Sequence, residues 1–267
     1  MDMSEHAKAA VADPDTRSRA YRLLAEPFRY PTVAFFERLR DGAYAAELRE
    51  ALAELAHARL SEAEWQALAD GLSRALAGCA FEDYESLYIT TFDAGAPQPP
   101  CPPYEGSYRD GVPKAKVLLH LAGFYKHFGL RMSTEEGKRE LPDHIAAELE
   151  FMHFLAFKEA QAREVDDGAL LQGYVLAQRD FLSRHLCRWM PRFVQALKAA
   201  RPASAFALLA EAAHDFFQKD LALVQGYLKD MGIAEAPAPP TRETIPIVAQ
   251  DDTAPPGAEP DAGHVDR

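Results

Sequence analysis

Four ionisable residues in the middle of the chain have the types and neighbours that recognition of a basic partner requires. Glu105 sits in a proline-clustered aromatic loop, Pro97-Gln98-Pro99-Pro100-Cys101-Pro102-Pro103-Tyr104-Glu105-Gly106-Ser107-Tyr108. Asp143 and His144 close the run Glu140-Leu141-Pro142-Asp143-His144, which opens an apolar helix from Ile145, and Glu148 lies one turn inside that helix. A Pro-Asp-His helix start puts an anion and a titratable imidazole where backbone N–H groups lack intrahelical partners. Carboxylates placed there can accept charge-assisted hydrogen bonds from arginines.

Beside them, Tyr84, Leu87, Tyr88 and Phe92 recur at i, i+3, i+4 and i+8, a single helical stripe running straight into the proline loop. With Pro103, Tyr104 and Tyr108 next to it, the stripe is expected to line an apolar groove for an amphipathic peptide helix. Asp143, Glu148 and Glu105 would then face arginines flanking the apolar part of that peptide. Each feature also has a plainer reading. The stripe alone is core packing, Asp143 offsets a helix dipole by about 0.3–1 kcal/mol, Pro142 is a first-turn proline, and Glu105 is a solvated turn residue.

Other chemistries find less support. His144 and Glu148 share a helix face and are the seed of a metal site, but His153 is nine residues from His144. At about 100° per residue it points the opposite way. His120 and His127 have no acidic ligand on their stripe. No nucleophile elbow and no phosphate-cradling glycine loop is present. Cys79, Cys101 and Cys187 are widely spaced and odd in number, which fits neither a disulfide framework nor a zinc knuckle. The formal charge of −12 argues against nucleic acid and favours a basic partner. No enzyme, no resident cofactor and no metal is therefore expected.

These residues must be positioned by helices, because helical periodicity dominates the chain. Thr16–Phe28, Thr32–Leu39, Tyr44–Leu60, a helix from the Ser61–Glu64 capping box to about residue 77, and Phe81–Phe92 precede the loop. Lys114–Phe128 comes after it, with Gly129 as its C-cap. Long helices cover about Pro142–Val165, Gly168–Ala199 with a bend at Pro191, and Pro202–Met231. The fold class is all-α, a compact multi-helix bundle over residues 1–235, with the proline loop at 93–112 and a polar linker at 131–140. From 236 to 267 the chain is Pro- and Asp-rich without aromatics and reads as a disordered acidic tail. Neither a membrane span of about 18 apolar residues nor a secretory signal is visible, so a cytoplasmic protein is expected.

With these residues in place, the chain resembles the redox-enzyme maturation chaperones of the TorD, DmsD and NarJ type. Three segments carry the resemblance: Tyr84-Glu-Ser-Leu87-Tyr88-Ile-Thr-Thr-Phe92, Pro102-Pro103-Tyr104-Glu105-Gly106-Ser107-Tyr108, and Glu140-Leu141-Pro142-Asp143-His144 with Glu148 to Met152 after it. They stand in the family's order on a helical background from roughly Thr16 to Met231. The resemblance implies a cytoplasmic chaperone that binds the twin-arginine signal peptide, or another segment, of a molybdoenzyme catalytic subunit. It would assist insertion of bis-molybdopterin guanine dinucleotide and delay export until assembly is complete. The family's peptide-binding positions fall on Tyr84, Leu87, Tyr88, Phe92, Tyr104, Glu105, Asp143 and His144, to which Pro103 and Glu148 are added by proximity. Gly106 departs from the family's Pro-Pro-Tyr-Glu-Ser pattern, and the Pro-Pro-Tyr-Glu-Gly form looks closest to chaperones of dimethylsulfide, ethylbenzene, chlorate and selenate oxidoreductases. Asp143→Ala and Tyr88→Ala are both expected to weaken peptide binding and leave the fold intact. A monomer is expected, with a domain-swapped dimer as the other oligomeric state. The alternatives in function are a helical metalloenzyme using His144 and Glu148, and a structural assembly subunit of a redox complex.

Overall fold

A computed structural model describes residues 13–131 and 141–233. The C-terminal tail, Glu140 and all but Arg131 of the expected polar linker lie outside the described residues. The helices are α1 (Pro14–Ala25), α2 (Val33–Arg40), α3 (Ala43–Glu54), α4 (Glu62–Ala75) and α5 (Phe81–Tyr88), then α6 (Lys114–His127), α7 (Ile145–Glu164), α8 (Gly168–Phe181), α9 (Cys187–Ala200) and α10 (Ala205–Asp230). The architecture is an all-α bundle, as the periodicity predicts.

Local chemistry sets most boundaries. Asp13 caps α1 by accepting from the Thr16 N–H at 3.0 Å, with Pro14 in the first turn where no N–H partner is needed. The Ser61–Glu64 capping box forms with both reciprocal bonds, at 2.7 and 3.3 Å. Gly129 ends α6 at φ +76°, a left-handed conformation that a side chain would strain.

Two predicted helices differ in the same way. The stripe from Phe81 continues past Tyr88 as a π turn, Ile89–Asp93, and the segment Gly168–Ala200 is interrupted by a second π turn, Leu182–Leu186. A π turn inserts one residue into the helical repeat, so each rotates the faces of the residues downstream. Pro191 lies inside α9, within the second turn after the irregularity. The sequence marks a break in this helix at the proline, and the structure puts the irregular turn just upstream of it.

Helix α7 is the centre of the bundle. Its buried residues, among them Ile145, Leu149, Met152, Leu155 and Ala156, run all round the helix. It lies along α1 on one side and α8 on another, while α9 packs on α10. Phe28, Phe36, Phe92, Phe193, Phe206 and Phe217 fill the interior, each contributing about 1.5–3 kcal/mol of transfer free energy.

An ionic network crosses this core. Arg17 on α1 is fully buried and clamps Asp220 on α10 through Nε at 2.7 Å and a terminal nitrogen at 2.8 Å. It also reaches Glu159 on α7 at 2.8 Å and Gln178 on α8 at 2.6 Å. Tyr21 donates to Asp220 at 2.6 Å, and His57 Nε2 meets the other Asp220 oxygen at 3.1 Å. Burial alone would raise the Asp220 carboxyl, but Arg17 and these hydrogen bonds hold it well below the ordinary carboxylate range. One guanidinium thus ties four helices together.

Candidate functional site

The proline loop and the start of α7 are sewn together by backbone. Glu105 N–H donates to the Asp143 carbonyl at 2.9 Å, and Ile145 N–H to the Pro103 carbonyl at 2.9 Å, around an isolated antiparallel bridge between Tyr104 and His144. Gly106 N–H donates to Asp143 Oδ2 at 3.0 Å, and Tyr125 hydroxyl on α6 to the Pro142 carbonyl at 2.8 Å. His144 is the N-cap of α7, its Nδ1 accepting from Ala146 N–H at 3.1 Å. Pro142 and Asp143 therefore precede the helix, and the first-turn reading of Pro142 is replaced by a turn that aims Asp143 at the loop. Gly106 lets the two segments approach closely. A Cβ there would stand 3.0 Å from Asp143 Oδ2 and 3.1 Å from Lys114 Cγ, so one of the two would have to move.

Beneath the loop lies a buried acidic cluster. Glu105, fully buried, pairs through one oxygen with Arg109 and through the other with His185 Nδ1 at 2.7 Å. Its reading as a solvated turn residue is overturned: the side chain is held inside by Arg109 of the same loop and by His185 of the second π turn. Glu148 accepts from the Trp189 indole at 3.1 Å, and its Oε1 has no partner. Burial, with Glu105 and Asp143 close by, pushes the Glu148 carboxyl well above its ordinary range. Burial also raises Asp143, against the hydrogen bond from Gly106.

Above this cluster opens a cleft of about 360 Å³. Its walls are Phe92 and Asp93 from the first π turn, the loop residues Gln98, Pro99, Pro102, Tyr104 and Ser107, Lys114 and Leu118 from α6, and Leu141 with Asp143. Asp143 is 3% exposed, and its Oδ1 lacks a partner. Such an oxygen costs about 1–3 kcal/mol while it stays unsatisfied.

The structure thus brings Phe92, Tyr104 and Asp143 to one cleft, with Pro103, Glu105, His144 and Glu148 directly behind. The rest of the aromatic stripe does not line an open groove. Tyr84 and Tyr88 are buried against Phe36 and Phe206, and the Tyr88 hydroxyl donates to the Phe28 carbonyl at 3.2 Å. Leu87 is half-buried beside them. The groove expected for a peptide helix is filled by the protein's own α10, because Phe206 packs onto Tyr84, Tyr88 and Phe92 alike. Tyr88→Ala therefore becomes a core truncation, with a cost of about 3–5 kcal/mol. Tyr108 likewise stacks on Trp189 at 5.7 Å and leaves the cleft to its neighbours.

The pair His144 and Glu148 does not gather a third ligand. Among the described residues no group of three or more His, Cys, Asp or Glu side chains could hold a metal ion. Sequence reasoning also passed over Arg109, Lys114, His185, Trp189 and the whole Arg17 network. The signal for the network was present: Arg17, Glu159 and Asp220 each interrupt an apolar helical stripe, where a charge survives only with a buried partner.

Fold and site together define a class, an all-helical protein whose loop and central helix close on a small cleft with a carboxylate in its wall. Residues 41–195, more than half of the chain, match the nitrate reductase delta subunit family, and the chain belongs to that family. It is 39% identical over 190 residues to the perchlorate reductase assembly chaperone protein of Dechloromonas aromatica (strain RCB), covering 71% of this chain and 81% of that one. The selenate reductase assembly chaperone protein of Thauera selenatis is 28% identical over 197 residues, covering 74% and 84%. The dimethyl sulfide dehydrogenase assembly chaperone protein of Rhodovulum sulfidophilum is 32% identical over 186 residues, covering 65% and 68%. The resemblance to redox-enzyme maturation chaperones carried by the three motifs is borne out.

Proposed function

We propose that the protein is an assembly chaperone for the catalytic subunit of a molybdopterin oxidoreductase. It binds the subunit's twin-arginine signal peptide, or another basic and apolar segment, in the cytoplasm before export. Binding keeps the apo-subunit ready for insertion of bis-molybdopterin guanine dinucleotide. The protein works by association, as a monomer, without catalytic turnover. The observation that carries this reading is a largely apolar cleft with the buried carboxylate residue Asp143 in its wall, within a chain whose relatives are named assembly chaperones. Direct contacts are assigned to Phe92, Tyr104 and Asp143, and support from behind to Tyr84, Leu87, Tyr88, Pro103, Glu105, His144 and Glu148. The net charge of −12 steers a basic segment toward the protein.

Micromolar affinity requires about 8 kcal/mol net. One charge-assisted hydrogen bond supplies about 1.5–3 of it, and apolar burial the rest. Calorimetric titration with twin-arginine signal peptides of molybdoenzyme subunits from the same genome tests the reading. Binding of one peptide at micromolar affinity or tighter, weakened when its arginines become alanines, is the expected result. Absence of binding to all of them would overturn signal-peptide recognition.

A further inference from the structure

The first π turn leaves a carbonyl without its helical donor, and one side chain takes it up. In an α-helix running on from α5, the Ala94 N–H would bond the Thr90 carbonyl, four residues back. Here it donates to the Ile89 carbonyl at 2.7 Å, one residue further, and passes over Thr90. Arg201, at the end of α9, meets the Thr90 carbonyl through Nη2 at 3.1 Å. Its Nε donates to the Thr91 hydroxyl at 3.1 Å and its Nη1 to the Ala200 carbonyl at 3.2 Å. The guanidinium thus bridges the C-terminal ends of two helices, where a cation complements the helix dipole. The next carbonyl along, that of Thr91, accepts from Cys101 N–H at 3.0 Å and ties the proline loop to the same turn. Thr91 and Cys101 are fully buried. Phe92 and Asp93, which follow directly, form the cleft wall on this side, and Arg201 itself does not line the cleft. A return to α register would drop one residue and swing both by about 100°, taking Phe92 off Phe206.

We infer that Arg201 is a positioning residue for the cleft. By capping the carbonyl that the π turn passes over, it selects the π register and with it the place of Phe92 and Asp93. Resting on the peptide-binding reading above, client affinity then depends on a residue that lies outside the cleft.

The test uses the full chain with Arg201→Met, which keeps an apolar stem and removes the donors. Lys198→Met, at an exposed ion pair on the same helix, is the control. NMR follows amide hydrogen exchange at Ala94 and Cys101, which report the turn and the loop tether, and at Leu155 in α7, which reports global opening. In Arg201→Met, exchange at Ala94 and Cys101 should rise about tenfold or more and at Leu155 by less than about threefold, with the Phe92 ring signals shifted. Lys198→Met should leave all of these unchanged. Affinity for a signal peptide that binds the wild type should fall about fivefold or more in Arg201→Met. Unchanged exchange at Ala94 and Cys101 would overturn the inference. So would a rise shared equally by Leu155, because Arg201 would then contribute stability alone, and so would a local change that leaves peptide affinity intact. If no signal peptide binds the wild type while the local exchange pattern appears, Arg201 keeps its role in placing Phe92, and the proposed client is overturned.

Discussion

Two buried ionic regions, about equally dry, have been finished differently. Around Arg17 all four carboxylate oxygens of Asp220 and Glu159 are engaged, by Arg17, Tyr21, His57, Gln178 and Arg163. Around the loop, Asp143 Oδ1 and Glu148 Oε1 accept no hydrogen bond. The carboxylates of the Arg17 network have no oxygen left for a cation, although His57 Nδ1 and Arg163 Nε at its edge lack partners, and it fixes how α1, α7, α8 and α10 meet. The loop region carries the standing cost of two unsatisfied carboxylate oxygens. The two regions are alike in burial and differ in whether every carboxylate oxygen is hydrogen-bonded.

The contrast is broken most forcefully at Arg17. Arg17→Leu leaves two buried carboxylates without their cation and should cost about 3–5 kcal/mol, read by chemical denaturation. Asp143→Asn should alter stability by less than about 1 kcal/mol. A larger stability loss from Asp143→Asn than from Arg17→Leu would sink the distinction. In peptide titrations the ranking reverses: Asp143→Asn should weaken binding by about 1.5–3 kcal/mol. Because burial raises the Asp143 carboxyl, wild-type affinity should fall on acidification starting above the ordinary carboxylate range, and the variant should lack this dependence.

Glu148 sharpens the comparison through pH. Its folded-state pKa is raised, so the stability it contributes is fully present below about pH 4.3 and lost as pH rises through the folded value. Glu148→Gln should remove a slope of up to about 1.4 kcal/mol per pH unit in that window and leave the protein more stable at neutral and alkaline pH. Thermal melts across pH measure this; parallel curves for variant and wild type would mean that Glu148 is ionised in the fold. A further effect is expected at Tyr125→Phe, which removes the hydroxyl holding the Pro142 carbonyl. A loss of about 1 kcal/mol, with peptide affinity reduced at unchanged pH dependence, would mark Tyr125 as a positioning residue.

The sequence by itself determined the helices, their caps and the family. Ser61–Glu64, Gly129 and the stripes on α1 and α6 arise from interactions within a few residues, which the chain displays directly. It also brought Tyr104, Glu105, Asp143 and His144 under suspicion, since loop chemistry and a Pro-Asp-His helix start are local signals. What it could not display is which of two helix faces turns inward after an inserted residue. The π turn Ile89–Asp93 and the packing of Phe206 decided that Tyr84, Tyr88 and Phe92 all sit in the core, with Phe92 alone also bordering the cleft. Partner choice was equally a tertiary matter. Arg17 and Asp220 are 203 residues apart, and Glu105 finds His185 80 residues away. Such pairings depend on how helices pack, because a buried charge is stabilised by whatever geometry puts beside it and not by its neighbours in sequence.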